Sequence, residues 1–439
     1  MTVRTARKKP RPPLPVIPAS PRAASDAGHP GSAVASWRVI VTGVITLTVA
    51  LGQLYIVLPM LDSLSLLPGA SASAATVAVT AFALPYAAGF LVLGPLTDRF
   101  GARAVMIASV STVLAGTVLT AAAPNWGLFL AGRAVQGFAA APFTPAILVL
   151  TQTCVAPARR LVTTSAIVSA GMASAVVAQI VAQLTLPTLG VSGVFALSAA
   201  ALVVCLVLNV VLFPGVRPST STGPASTGPA AGRTVDAYRA IPRLFTRPRL
   251  VLLLLAALSY LTVFVGLYAA LQLTNSTQDA TGLLVLRASA LPAIVAIPVL
   301  VPLLVRIPGR ARLLISLAVA AASTALLGVL ALAGLLTLPL FGLGMLLTAG
   351  AIAVAAPATV TEIMAAAPGA GGAANALYSA AIFGGASIGT PLAALVVSLA
   401  GAGGTGLGAF ALTCAALLTL AIIVAALAFR LPATGVRRW

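Results

Sequence analysis

Long apolar runs separated by short polar gaps recur twelve times along the chain. They cover residues 37–60, 74–96, 104–123, 126–151, 162–186, 192–213, 249–273, 281–305, 312–333, 336–361, 372–398 and 406–429. Each is close to or longer than the roughly 20 apolar residues that a helix needs to cross a hydrocarbon layer. Only helices and closed barrels satisfy every backbone N–H and C=O in lipid, and runs this continuous predict helices. The expected fold is therefore all-α and integral to a membrane, with twelve transmembrane helices. Basic residues punctuate the runs with a strict alternation. Of 25 Lys and Arg residues, 23 lie in the leading tail, the even-numbered gaps and the C-terminal end, and the odd-numbered gaps hold none. Carrying such residues across during insertion is unfavourable, so the alternation places both chain ends on the cytoplasmic side. Arg133 and Arg287 are the two that remain, and both sit inside apolar runs.

Composition narrows the class. Hydrophobic residues make up 60% of the chain and charged ones 7%, against about a quarter charged in soluble domains. The net charge of +19 follows from topology and attraction to anionic lipid, so membrane lipids are expected partners and nucleic acid is not. Cys154, Cys205 and Cys414 are scattered and the one histidine, His29, is in the tail. No metal site and no cofactor are expected. Six carboxylates, most at run ends, leave little for acid–base chemistry, which argues against an enzyme.

Residues 1–36, rich in Pro, Arg, Ala and Ser, are expected to be a disordered tail. A second break, 214–248, carries PSTSTGPASTGPAAG and predicts a flexible linker. It divides the runs into two sets of six, 37–213 and 249–430, with a short tail at 431–439. The sets echo one another: at an offset of 207, Pro95, Leu96, Arg99 and Arg103 recur as Pro302, Leu303, Arg306 and Arg310. Corresponding loops with shared residues support duplication, a habit of transporters.

The loop between runs two and three reads GPLTDRFGAR, Gly94 to Arg103. Gly94 and Gly101 suit a tight turn between close helix ends. Asp98 can accept hydrogen bonds at a helix N-terminus, whose partial positive charge favours it. Arg99 and Arg103 keep the turn on the basic side. This loop resembles the signature loop of the major facilitator superfamily. GRAVQG, Gly132 to Gly137, is similar to the Arg-x-x-Gln-Gly element of that superfamily's drug-efflux branch, and LYIVLPML, Leu54 to Leu61, to its first helices. The resemblance covers Trp37 to Arg430. It implies two pseudo-symmetric six-helix bundles that rock about a central site, a functional monomer in a bacterial inner (plasma) membrane, and export of a small organic solute, with protons as a coupling partner to test. It also implies that Asp98 helps close the cytoplasmic side and that Arg133 faces the cavity. An uptake or facilitative carrier, and a non-transporting sensor or scaffold, are the alternatives. Three departures stand out. Ala102 replaces a common Arg, Val305 replaces the acid in the second-half loop, and run five, AGMASAVVAQIVAQL, lacks the Gly-Pro and Gly-Gly of antiporters.

An Arg at the centre of a spanning helix costs roughly 2.5–3.5 kcal/mol on insertion scales. Arg133 and Arg287 either snorkel to the nearer interface or face the interior. Unpaired inside, two guanidiniums would favour an anionic solute. Asp62 and Glu362 are the carboxylates at run ends that could change charge during a transport cycle. Gln53, Tyr55 and Gln136 are further polar candidates. In run seven, Tyr260, Phe264, Tyr268 and Gln272 share one helix face, either as packing or as recognition. GGASIGTP, Gly384 to Pro391, is expected to be a close-packing or hinge segment.

Overall fold

The structure, a computed structural model, describes residues 30–71, 76–94, 96–155, 157–213, 241–274, 280–292, 296, 306–368 and 370–431. The tail before Pro30, most of the linker, Asp279, the repeat residues Pro95, Pro302 and Leu303, Val305 and the end after Leu431 lie outside the described residues, as does the side chain of Asp98.

Fourteen α-helices are named here: α1 (Pro30–Tyr55), α2 (Leu61–Leu64), α3 (Val77–Leu93), α4 (Leu96–Phe100), α5 (Ala102–Ala121), α6 (Trp126–Ala140), α7 (Phe143–Cys154), α8 (Pro157–Leu212), α9 (Pro248–Thr274), α10 (Ala280–Ala288), α11 (Gly309–Leu332), α12 (Leu338–Ala366), α13 (Gly371–Ala400) and α14 (Gly404–Arg430). Among the described residues nine segments are long and apolar enough to cross a membrane. The twelve expected spans reconcile with these nine. Ser169–Leu212 is 44 residues long and breaks at Gly190 (φ 64°, ψ −179°), so it supplies two spans. Val77–Leu93 is an apolar helix of 17 residues, and the eighth span is described only in part. The fold class stands as expected, and eleven of the twelve expected spans are accounted for among the described residues.

Two boundaries move. α1 begins at Pro30, inside the expected tail of residues 1–36; proline suits a first helical position, where its missing N–H has no helical partner to lose. The first span does not run unbroken to residue 60. Its helix stops at Tyr55, and a 3-10 turn, Leu58–Met60, precedes α2. Pro59 cannot donate to the Tyr55 carbonyl, and its ring would strike that carbonyl in a continued helix.

The two halves pack by the same rule. α1 on α8 is matched by α9 on α13, α3 on α6 by α10 on α12, α5 on α6 by α11 on α12, and α5 on α8 by α11 on α14. Between the halves, α3 lies on α13 and α8 on α10, again a symmetric pair. Small residues permit these approaches, because lipid tails give helices no hydrophobic reason to associate and close packing must supply the attraction. A Cβ at Gly328 would lie 3.0 Å from the Gly408 carbonyl, and one at Gly408 would lie 2.9 Å from that of Gly328. α9 and α13 cross in the same way: a Cβ at Gly389 would meet the Gly266 nitrogen at 3.1 Å, and one at Gly266 the Gly389 carbonyl at 3.0 Å.

Helix directions give the molecule a basic end, with Arg99, Arg103, Arg249, Arg310 and Arg430, and a far end with Asp62. Among the described residues, five of the six positive-φ glycines, Gly69, Gly190, Gly334, Gly401 and Gly403, make the turns of the far end. Gly101 is the sixth and sits at the basic end.

Candidate functional site

Arg133 lies on α6 and is fully buried within the first bundle. The break after Tyr55 explains its position. A helix end leaves its last carbonyls without intrahelical donors and carries a partial negative charge. Arg133 supplies both donors and charge. Its Nη1 donates to the Gln53 carbonyl at 2.6 Å and its Nη2 to that of Leu54 at 3.4 Å. Nε donates to the Ala78 carbonyl at 3.3 Å, near the start of α3. Nη1 also donates to Gln136 Oε1 at 2.8 Å, and Gln136 Nε2 passes the chain on to Thr117 at 2.8 Å. Phe82 lies beneath the guanidinium, 4.8 Å from its ring centre. The side chain therefore neither snorkels nor faces an open cavity, and Arg133 and Gln136 form an internal brace for the broken helix. Gln53 donates to Val49 of its own helix, and Tyr55 is buried beside the break.

Arg287 occupies a different setting. It lies on α10, 1% exposed, where the halves meet near the far end. Nε donates to Gln183 at 2.7 Å, Nη1 to Gln179, and Nη2 to Gln272 at 2.6 Å, each at the amide oxygen. Gln179 and Gln183 belong to α8 of the first half, Gln272 to α9 of the second. Gln272 in turn donates through Nε2 to Asp62 Oδ2 at 3.3 Å, returning to the first half. Tyr268 donates to the Arg287 carbonyl at 3.1 Å and so fixes the backbone that carries the guanidinium. Burial removes the snorkelling alternative for Arg287 in this conformation. Among the described residues neither guanidinium contacts a carboxylate, yet both are satisfied by neutral oxygens. The expectation of two unpaired charges awaiting an anion is therefore not met.

The face of α9 carries both packing and polar contacts. Tyr260 shares a 2.6 Å hydrogen bond with Thr359 on α12, and Phe264 meets Tyr268 edge-on at 5.2 Å. All four members, Tyr260, Phe264, Tyr268 and Gln272, are buried.

At the basic end, a cavity of about 190 Å³ opens between the halves. Phe90, Leu91, Pro145 and Val149 form its apolar wall, with Thr97 and Asn375 as polar groups. Gly94 of the signature loop borders it. Gly101 takes φ 82°, ψ 149°, a conformation essentially confined to glycine. Arg103 donates to the Val210 carbonyl at 2.7 Å, capping the end of α8, and Arg99 is exposed over Phe100. Asp98 lies on α4.

Glu362, near the basic end of α12, is held by two arginines. Arg249 donates to its Oε2 at 2.6 Å and the Nε of Arg310 is 3.7 Å away. All three belong to the second half, so the carboxylate ties α9, α11 and α12 together. Glu362→Gln is expected to lower stability by about 2 kcal/mol, the scale of a hydrogen bond to a charged group, because the Arg249 side chain is 4% exposed and keeps its charge. Thermal unfolding in detergent checks this, and the Arg249→Gln/Glu362→Gln double variant should recover part of the loss.

The structure thus gathers Arg287, Gln272, Tyr268 and Asp62 at one place, and Arg133, Gln136 and Gln53 at another, while Glu362 and the signature loop stand apart. Gln179 and Gln183 are not among the residues that the sequence singles out. Two amides four residues apart inside an apolar run share a helix face, and that spacing was the available signal.

Comparison with known proteins places this geometry. A family model described as Major Facilitator Superfamily matches residues 39–351. An uncharacterised MFS-type transporter, YceJ of Bacillus subtilis, is 29% identical over 182 residues, 40% of this chain and 43% of that protein. The methylenomycin A resistance protein of B. subtilis is 36% identical over 80 residues, 18% of this chain and 17% of that protein. A triacylglyceride transporter of Mycobacteroides abscessus is 30% identical over 118 residues, 26% and 23% of the two chains. The matches therefore span less than half the length of these relatives. The human organic anion transporter MFSD10 (TETRAN) has the same fold, with a TM-score of 0.61 at 17% identity over 90% of this chain and all of that one. The matched family and the named relatives are membrane transporters rather than enzymes. The chain belongs to the major facilitator superfamily.

Proposed function

We propose that the protein is a secondary transporter that exports a small lipophilic solute by alternating access, with the basic end in the cytoplasm of a bacterial cell. The bundles 37–213 and 249–430 are the rocking units, joined by the linker 214–248. The observation that carries this reading is the cavity at the basic end, set against a far end bridged by Arg287. That pairing is what an inward-facing state requires: a solute enters from the basic side while the other side is shut. The cavity walls are Phe90, Leu91, Pro145 and Val149, with two uncharged polar groups, so apolar surface rather than charge supplies the attraction. At about 190 Å³ it is smaller than the roughly 300–1,000 Å³ of drug-sized sites, and a larger solute needs a wider opening. The name of the triacylglyceride transporter is in keeping with an apolar cargo.

Proton exchange is the proposed coupling. Asp62 is its first candidate, because Glu362 is held by two arginines and Asp62 meets only an amide among the described residues. Two measurements test the reading. In a thermal-shift screen of purified protein, neutral lipophilic solutes should stabilise more than anionic or cationic ones. A solute found this way should enter everted vesicles when a pH gradient is applied. Strongest stabilisation by anions would overturn the apolar cavity. Equilibration that ignores the gradient would leave a facilitative carrier in place of an exporter.

A further inference from the structure

We infer that Gln179 and Gln183 are the positioning residues that hold the far end shut, by gripping Arg287 across the boundary between the halves; this rests on the alternating-access reading above. Two buried side chains of the second half are each held by side chains of the first. Arg287 is gripped by Gln179 and Gln183 of α8, and Gln272 donates to Asp62. Arg287 and Gln272 are in turn bonded to one another at 2.6 Å. The contacts form one continuous line from α8 through α10 and α9 to α2.

The chemistry of the grip suits a contact that must break in every cycle. A guanidinium facing a buried carboxylate forms a pair whose rupture leaves two uncompensated charges, costing roughly 3–5 kcal/mol. Amide oxygens accept strong charge-assisted hydrogen bonds yet carry no net charge, so opening strands one ion rather than two. Gln179 is further steadied by donating to the Ala175 carbonyl of its own helix at 2.8 Å, which orients its oxygen toward Arg287. Tyr268 holds the Arg287 backbone. When the far end opens, Gln179 and Gln183 withdraw with the first half while Gln272 and Tyr268 stay with Arg287. The guanidinium then keeps one of its three amide acceptors. That deficit is the restoring force that closes the far end again.

The test is a distance measurement across the far end. Leu66 in the first half and Leu335 in the second are 83% and 63% exposed and accept spin labels as Leu66→Cys and Leu335→Cys once Cys154, Cys205 and Cys414 are replaced by alanine. Gln179→Met/Gln183→Met keeps side-chain volume and removes both acceptors. It should raise the far-open population relative to the closed one by about tenfold or more, the loss of two charged-group hydrogen bonds being ample for that. Gln179→Glu should do the reverse and narrow the closed distribution. Ser323→Ala, which removes a buried hydrogen bond to Thr348 inside the second half, should leave the distances unchanged and separates a latch from general loosening. If the double variant does not fold, Gln183→Met alone carries the test with a smaller shift in the same direction. A wild-type distance distribution in the glutamine variants would overturn the inference. Because the distances are read without solute, that result together with gradient-driven transport would sink the latch and spare the transporter reading. Shifted distances without any transport would do the opposite.

Discussion

Replacing Arg133 with alanine is expected to destabilise the first bundle by about 2–5 kcal/mol, since it strands several buried acceptors at once. The Gln53 and Leu54 carbonyls at the end of α1, the Ala78 carbonyl and Gln136 Oε1 would all lose their donor. In lipid no water replaces it. A cavity beside Phe82 and Phe195 would add to the loss, as both rings face the guanidinium. Unfolding temperature in detergent and the yield of monodisperse protein measure the effect. Arg133→Lys should recover only part, because an ammonium cannot span carbonyls from two helices in a planar fork. A coupling residue with no bracing role would behave differently: Arg133→Ala would keep wild-type stability and lose transport alone. That outcome would contradict the geometry.

The second large effect concerns the crossing of α9 and α13. Gly385→Val is expected to cost at least about 3 kcal/mol, the upper range of overpacking, and to prevent recovery of folded protein. A Cβ there would fall within the contact radius of the Leu258 carbonyl oxygen and 2.9 Å from its carbon. Backbone cannot swing aside as a long side chain can. Thr262 on α9 also donates to the Gly385 carbonyl at 2.9 Å, a bond that requires the same close approach. Its neighbour supplies the control. A Cβ on Gly384 meets nothing within 4 Å, so Gly384→Ala should fold normally. Equal tolerance of both substitutions would show that the helices do not approach this closely.

Much of the architecture was legible because lipid leaves so few options. A run of apolar residues in a bilayer is a helix for want of water to satisfy its backbone, and the basic residues record which gaps stay on one side. Gly190 could be anticipated as the turn between runs five and six. Hydropathy could not reveal the break in the first span, because Ile56, Val57, Leu58 and Met60 are as apolar as the helix before them. Pro59 was the signal, and only its consequence, a set of stranded carbonyls, explains why an arginine sits on α6. The two intramembrane arginines were identified from sequence as a pair, and their different fates follow from partners that single-sequence reading does not place. One meets a helix end within its own bundle. The other meets two glutamines more than a hundred residues away and a third on the preceding helix. Gln179 and Gln183 do not stand out in the sequence because glutamine in an apolar run carries no charge, and its value depends wholly on what faces it.

Arg133 and Arg287 have a consequence for what the protein excludes. Both hold a fixed positive charge inside the membrane against neutral oxygens, among the described residues. At 10 Å and an effective dielectric constant of about 20, such a charge repels a bare monovalent cation by on the order of 1–2 kcal/mol. Arginines and helix dipoles in water channels bar protons and cations in the same manner. A neutral solute feels no such penalty. On the proposed export reading, a pathway that passes within that distance of either guanidinium is expected to admit a neutral solute more readily than a bare sodium ion or proton.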